Sequence, residues 1–129
     1  MKRTSTNNLK GLSFYQKSLD VFKLSRSVVS YVTYDKDVIE LQNSKTEVDT
    51  YANHIVMDAL GLAPRIAEAE SQKNPILKLR NAKSLEYLID RMYCNSKKLE
   101  NMKVSGKDFI KLLRKELIHL RELHMQYVN

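Results

Sequence analysis

NPILKLRNAKSLEYLIDRMYCNSKKLENMKVSGKDFIKLLRKELIHLRELHMQY, residues 74–127, decides the fold of this chain. Asn74 is a good helix N-cap, and Pro75 stands at the first helical position, where a missing N–H costs nothing. From there Ala82, Leu85, Leu88, Ile89, Met92 and Leu99 fall on one face of a 3.6-residue period. A second helix begins after the short link Asn101 to Gly106, where Ser105-Gly106-Lys107-Asp108 has the form of a capping box with Asp standing in for Glu. Its apolar face reads as Phe109, Leu112, Leu113, Leu117, Leu120, Leu123 and Tyr127. So short a link makes the two helices antiparallel neighbours.

The opposite faces are basic. At about 100° per residue, Lys107, Lys111, Arg114 and Arg121 lie roughly opposite the apolar stripe, with Lys115 at its edge. On the preceding helix Arg80, Lys83, Tyr87, Arg91 and Lys98 do the same, the tyrosine set among cations. Residues 73–129 hold 13 Lys and Arg against 6 Asp and Glu, whereas residues 1–72 hold 9 of each. The whole net charge of +7 therefore belongs to this hairpin.

Working outward, Ser44-Lys45-Thr46-Glu47 has the form of a capping box, and Val48, Tyr51, Ala52, Ile55, Ala59, Leu62, Ala63 and Ile66 follow at helical spacing. Pro64 lies inside that pattern. It removes the hydrogen bond to the Leu60 carbonyl, and because the apolar period continues to Ile66 the expectation is a kink and not a break. Upstream, Tyr15, Leu19, Phe22 and Val29 form a stripe widened by Phe14, Val21, Val28 and Val32, which gives a first helix from Leu12 to about Val32. Asp35-Lys36-Asp37 marks a turn before a short continuation through Val38, Ile39 and Leu41, and residues 1–11 read as a flexible basic tail. With three Gly and two Pro in 129 residues and no strand-like alternation, the fold expected is all-α. It is an up-down-up-down antiparallel four-helix bundle over residues 12–129, its second helix kinked near Pro64.

Composition narrows the function. No run approaches the ~20 apolar residues of a membrane span, and the polar, basic start is no signal peptide. Cys94 is the single cysteine and can form no internal disulfide, which fits a reducing, cytoplasmic setting. His54, His119 and His124 have no partners at metal-ligand spacing, so neither a metal nor a cofactor is expected. No Ser-His-Asp set, carboxylate pair or Gly-rich phosphate loop supports a mainstream enzyme class.

Leu62-Ala63-Pro64-Arg65-Ile66-Ala67-Glu68-Ala69 resembles the kinked segment of a bacterial four-helix-bundle family. That family includes proteins encoded in ribosomal-RNA intervening sequences and Avd, the accessory variability protein of diversity-generating retroelements. Leu77-Lys78-Leu79-Arg80-Asn81-Ala82 with Leu85, Leu88 and Arg91 is similar to the third helix of the Avd branch, and Lys107 to Glu116 to its fourth. The resemblance implies a homopentamer whose basic surface contacts RNA and a reverse transcriptase, with no catalysis by the bundle.

The expected site is therefore a nucleic-acid surface made of Arg80, Lys83, Tyr87, Arg91, Lys98, Lys107, Lys111, Arg114, Lys115 and Arg121. The cations would displace condensed counterions from RNA, or from DNA, and Tyr87 would stack on an unpaired base. Two other readings use the same residues. One is a bundle of the intervening-sequence kind, or a protein-interaction adaptor, whose charge merely faces solvent. The other is a metal-independent ribonuclease of the HEPN type, whose Arg-x4-His spacing Arg114 and His119 resemble; a five-residue step on a regular helix turns ~140° and separates the two side chains. Arg26 and Glu116 fall nearest the centres of apolar stripes, Arg26 read as reaching out to solvent and Glu116 as paired.

Overall fold

The computed structural model describes the backbone of residues 2–129 and their side chains apart from residues 2–8, 38 and 42. Five helices follow in order: α1 (Lys2–Thr33), α2 (Val38–Asn43), α3 (Glu47–Ser71), α4 (Pro75–Glu100) and α5 (Lys107–Val128). Each of the four long helices packs on its two neighbours in the ring α1–α3–α4–α5, and among the described residues none packs on the helix across the diagonal. Links of 72–74 and 101–106 force antiparallel neighbours. The all-α bundle is as expected.

The core follows a step of three and four residues on every long helix. On α1 it runs Phe14, Ser18, Val21, Ser25, Val28 and Val32; on α3, Ala52, Ile55, Ala59, Leu62, Ile66 and Ala69. On α4 it runs Leu85, Leu88, Met92, Asn95 and Leu99; on α5, Ile110, Leu113, Leu117, Leu120 and His124. That is the side-chain period of antiparallel bundles, in which knobs of one helix enter holes of the next. Two helices sit in a different rotational phase from the one read in the sequence. On α1 the widening residues are the core, Tyr15 and Phe22 are half-buried flanks, and Leu19 is 37% exposed. Buried Ser18 and Ser25 carry the line from Phe14 through Val21 to Val28, and Ser18 Oγ satisfies itself on the Tyr15 carbonyl at 2.6 Å. On α5 Ile110 and His124 are buried, whereas Phe109 and Leu112 are 36% and 44% exposed.

The tail expected over residues 1–11 falls mostly on residues 1–8, whose side chains lie outside the described residues; the helix itself extends back to Lys2, where a start at Leu12 was expected. Gly11 is buried there against α3, and a Cβ at this position would stand 1.3 Å from Glu70 Oε1. Glu70 also takes an ion pair from Lys78 at 3.2 Å. Burial and the Glu70 charge together push the Tyr127 phenol up to about 12.

Helix α1 ends on two left-handed residues, Tyr34 and Asp35, with the Asp35 amide bonded to the Ser30 carbonyl at 2.9 Å. This satisfies a carbonyl the helix would otherwise leave open. Asp37 caps α2 in a reciprocal box with Glu40. The cap of α3 is Thr46, whose Oγ1 accepts from the Asp49 amide at 3.2 Å, and not Ser44 with Glu47 as the spacing suggested. Ser44 closes α2 instead, and its hydroxyl donates to Asp49 at 2.6 Å. Pro64 passes within α3 without a break. Both Pro64 and Leu60 face solvent, so water can reach the Leu60 carbonyl the ring leaves unbonded. The Ser105 box does not form either. Gly106 is the cap residue at φ 77°, with its α-carbon packed beneath Tyr31, whose ring stacks on Phe109 at 4.7 Å.

Asp49 ties α3 to the link between α1 and α2 and to the end of α2, since it is 2% exposed and takes bonds from Lys36 and Ser44. Burial pushes its carboxyl up, and the bonds from Lys36, Ser44 and Thr46 outweigh this and hold it below the ordinary 3.8. A carboxylate lowered on folding adds stability above its ordinary value, and that stability is lost as pH falls through the folded value. Asp49→Asn is expected to remove about 1–2 kcal/mol at neutral pH. It should also flatten the acid limb of stability below pH 4, measured by urea unfolding between pH 3 and 7; an unchanged acid limb would remove Asp49 from this role.

Candidate nucleic-acid interface

The nine cations among the ten residues expected at the interface divide into two groups. Arg91, Arg114 and Arg121 are engaged inside the fold. Arg91 forks onto Asp58 of α3, its Nε donating to Oδ2 at 2.7 Å and its terminal nitrogen to Oδ1. The Asp58 bond first, and its charge next, raise the guanidinium above its ordinary range against the opposing effect of burial. Arg114 pairs with Glu100 at 3.0 Å, and Arg121 with Glu86 at 2.5 Å and Asp90 at 3.1 Å, all across the α4–α5 seam. The rotation of α5 brings both arginines to that seam.

The remaining cations, Arg80, Lys83, Lys98, Lys107, Lys111 and Lys115, are exposed and form no ion pair among the described residues. Lys98 rests over the Tyr51 ring at 5.2 Å. Tyr87 is 65% exposed, with Arg91 over one face of its ring at 5.0 Å. Sequence reasoning passed over Lys97 and Lys103, both exposed and without an ion pair among the described residues. The dipeptide Lys97-Lys98 and the position of Lys103 in the link were the available signals.

The antiparallel register set by Arg121 on Glu86 and Asp90, and by Arg114 on Glu100, puts these lysines in one place. Lys97, Lys98, Lys103, Lys107, Lys111 and Lys115 crowd the end of the hairpin where α4 turns into α5. Two carboxylates fall between residues 97 and 115: Glu100, held by Arg114, and Asp108. Arg80 and Lys83 lie roughly 20 Å back along α4 at ~1.5 Å per residue, with Tyr87 between. The positive surface is a pole, with a thinner extension along α4.

Glu116 is paired, as expected, but with Lys17 of α1 at 2.9 Å. Arg26 is exposed with its guanidinium 5.9 Å from the Phe22 ring. Arg114 and His119 stand mid-helix on an unbroken α5, Arg114 held by Glu100 and His119 exposed. The regular helix thus keeps the ~140° between them. Among the described residues no helix is long and apolar enough to cross a membrane, and no cluster of His, Cys, Asp and Glu could hold a metal ion. No family model, curated protein or solved structure matches the chain.

Proposed function

We propose that the chain is a non-enzymatic RNA-binding bundle that grips the phosphate backbone with the lysine pole of the α4–α5 hairpin. One observation carries this reading: six exposed lysines gather at one end without ion-pair partners among the described residues, while the arginines around them are engaged elsewhere. A solvated helix face usually neutralises itself with local acidic partners, and this one does not. Lysine ammonium groups act on phosphates as point charges, so affinity without strong sequence preference follows. Tyr87, open on one face, adds a stacking surface for an unpaired base. DNA would satisfy the same lysines. The homopentamer and the reverse-transcriptase contact rest on the resemblance of residues 62–69, 77–91 and 107–116 alone.

The test is binding of a structured RNA measured at several salt concentrations. Four to six phosphate contacts should give a log–log slope of about −3 to −5. Reversing Lys107, Lys111 and Lys115 to Glu should weaken binding by a factor of about 100 and flatten the slope. Reversing Arg80 and Lys83 should cost less than a factor of about 10. Affinity indifferent to salt, or unmoved by the triple reversal, would hand the fold to the adaptor reading.

A further inference from the structure

Between α4 and α5, below the lysine pole, lies a cavity of about 270 Å³. Ile89 and Leu117, each 1% exposed, form its floor. Tyr93 and Ile118 stand at its lips, and Ile118 is 49% exposed. The charges along these lips are arranged about that apolar centre. Going one way from Tyr93 and Ile118, the next turn carries Lys97 on α4 and Lys115 on α5; going the other way it carries Asp90 and Glu122. All four are exposed. The turn of α5 that carries Glu122 also carries Arg121, which is taken up by Glu86 and Asp90; Asp90 keeps its side chain 56% exposed, and with Glu86 and Glu122 this end stays net negative.

A surface that is positive at one end, apolar in the middle and negative at the other is complementary to itself after a half-turn about an axis crossing the helices. We infer that the α4–α5 groove docks a second copy of this chain across such a two-fold axis. One copy's Lys97 then faces the partner's Asp90, and its Lys115 faces the partner's Glu122, each pair occurring twice. Ile118 meets Ile118 over the groove, which excludes water from the centre. A two-fold along the helices would set Lys97 and Lys115 against each other and the carboxylates against each other, so the charges select the antiparallel arrangement. Lys97 and Lys115 also belong to the RNA-binding pole, so RNA and the second copy compete for them.

The experiment is the mass in solution by light scattering, without nucleic acid and at low salt, over a range up to several hundred micromolar. The wild-type chain should reach about twice its 15.0 kDa. Lys115→Glu alone and Glu122→Lys alone should each stay at one chain, because each sets like charges in contact twice. An equimolar mixture of the two should return to twice the chain mass, since every altered contact is then opposite in sign. Ile118→Asp should remain at one chain even in the mixture's conditions. These positions are exposed, so unchanged helicity by circular dichroism is the control. A wild-type chain that stays single, a mass near five chains, single reversals that still pair, or a mixture that fails to recover would each overturn the proposal.

Discussion

Replacing Arg91 with Ala is expected to lower stability by about 2–3 kcal/mol, roughly 10 °C in Tm for a chain of this size. The cost does not come from the strength of the pair in itself. It comes from what is left behind, since the Asp58 side chain is 6% exposed on α3 and would be left there without the guanidinium that satisfies both its oxygens. A fully buried pair broken in this way loses about 3–5 kcal/mol, and the 42% exposure of the Arg91 side chain places this one lower through solvent screening. Arg91→Lys keeps the charge but not the fork, so about half of the loss should persist. Asp58→Leu added to Arg91→Ala should recover most of it, because an apolar residue of similar volume needs no partner. Urea unfolding followed at 222 nm measures all three. A loss below about 0.5 kcal/mol in Arg91→Ala would mean that water already serves Asp58.

The Arg91–Asp58 bond also shows where sequence reading stops. Periodicity places Arg91 on the face opposite the apolar stripe of its helix, and it carries nothing about which flank of α3 lies beside which flank of α4. The four helices, the Asn74-Pro75 start and the unbroken passage through Pro64 were legible because each depends on residues within one or two turns. The rotational phase of α1 and α5 was not. Phe109, Leu112, Tyr15 and Leu19 drew the expected stripe toward the largest apolar side chains, whereas the bundle buries the residues that recur at three and four. On α5 the series Ile110, Leu113, Leu117 and Leu120 points directly at His124, and a polar name at the next position hid it. On α1 Ser18 and Ser25 did the same. Small residues are what let two helices approach closely, and no hydrophobicity count rewards them.

The phase decides what is available for function. With α5 set by its large apolar residues, Arg114 and Arg121 would stand in solvent opposite the core. With α5 set by Ile110 and His124, both reach the α4 seam and meet carboxylates. The free charge that remains is lysine, and it collects where α4 turns into α5. The net charge of the hairpin was legible in the sequence; its division into engaged arginine and free lysine is a tertiary fact.

Phe14→Ala is expected to have the largest effect on stability, about 3–5 kcal/mol. The ring is fully buried where α1 meets α5, edge-on to His124 with centroids 5.6 Å apart and tilted against Tyr127 at 5.3 Å. His124 is itself fixed. Its Nε2 donates to the Ala82 carbonyl of α4 at 2.8 Å, which leaves Nδ1 as the acceptor facing Arg121 at 3.4 Å. The imidazole cannot move into the space a missing phenyl leaves, so the cavity persists and its full cost is felt. Phe14→Leu should lose only about 1–1.5 kcal/mol, since it keeps most of the volume and gives up the edge contact. A cycle of Phe14→Ala with His124→Ala should show coupling of about 0.5–1.5 kcal/mol, because both truncations open the same space. Additive losses would mean that the two rings touch without supporting each other. The same variants separate fold from function: Phe14 packs on the C-terminal end of α5, and the lysine pole lies at its N-terminal end. RNA affinity per folded molecule should therefore stay within about twofold of wild type in Phe14→Leu, where the Lys107, Lys111 and Lys115 reversal lowers it about 100-fold in a bundle of undiminished helicity.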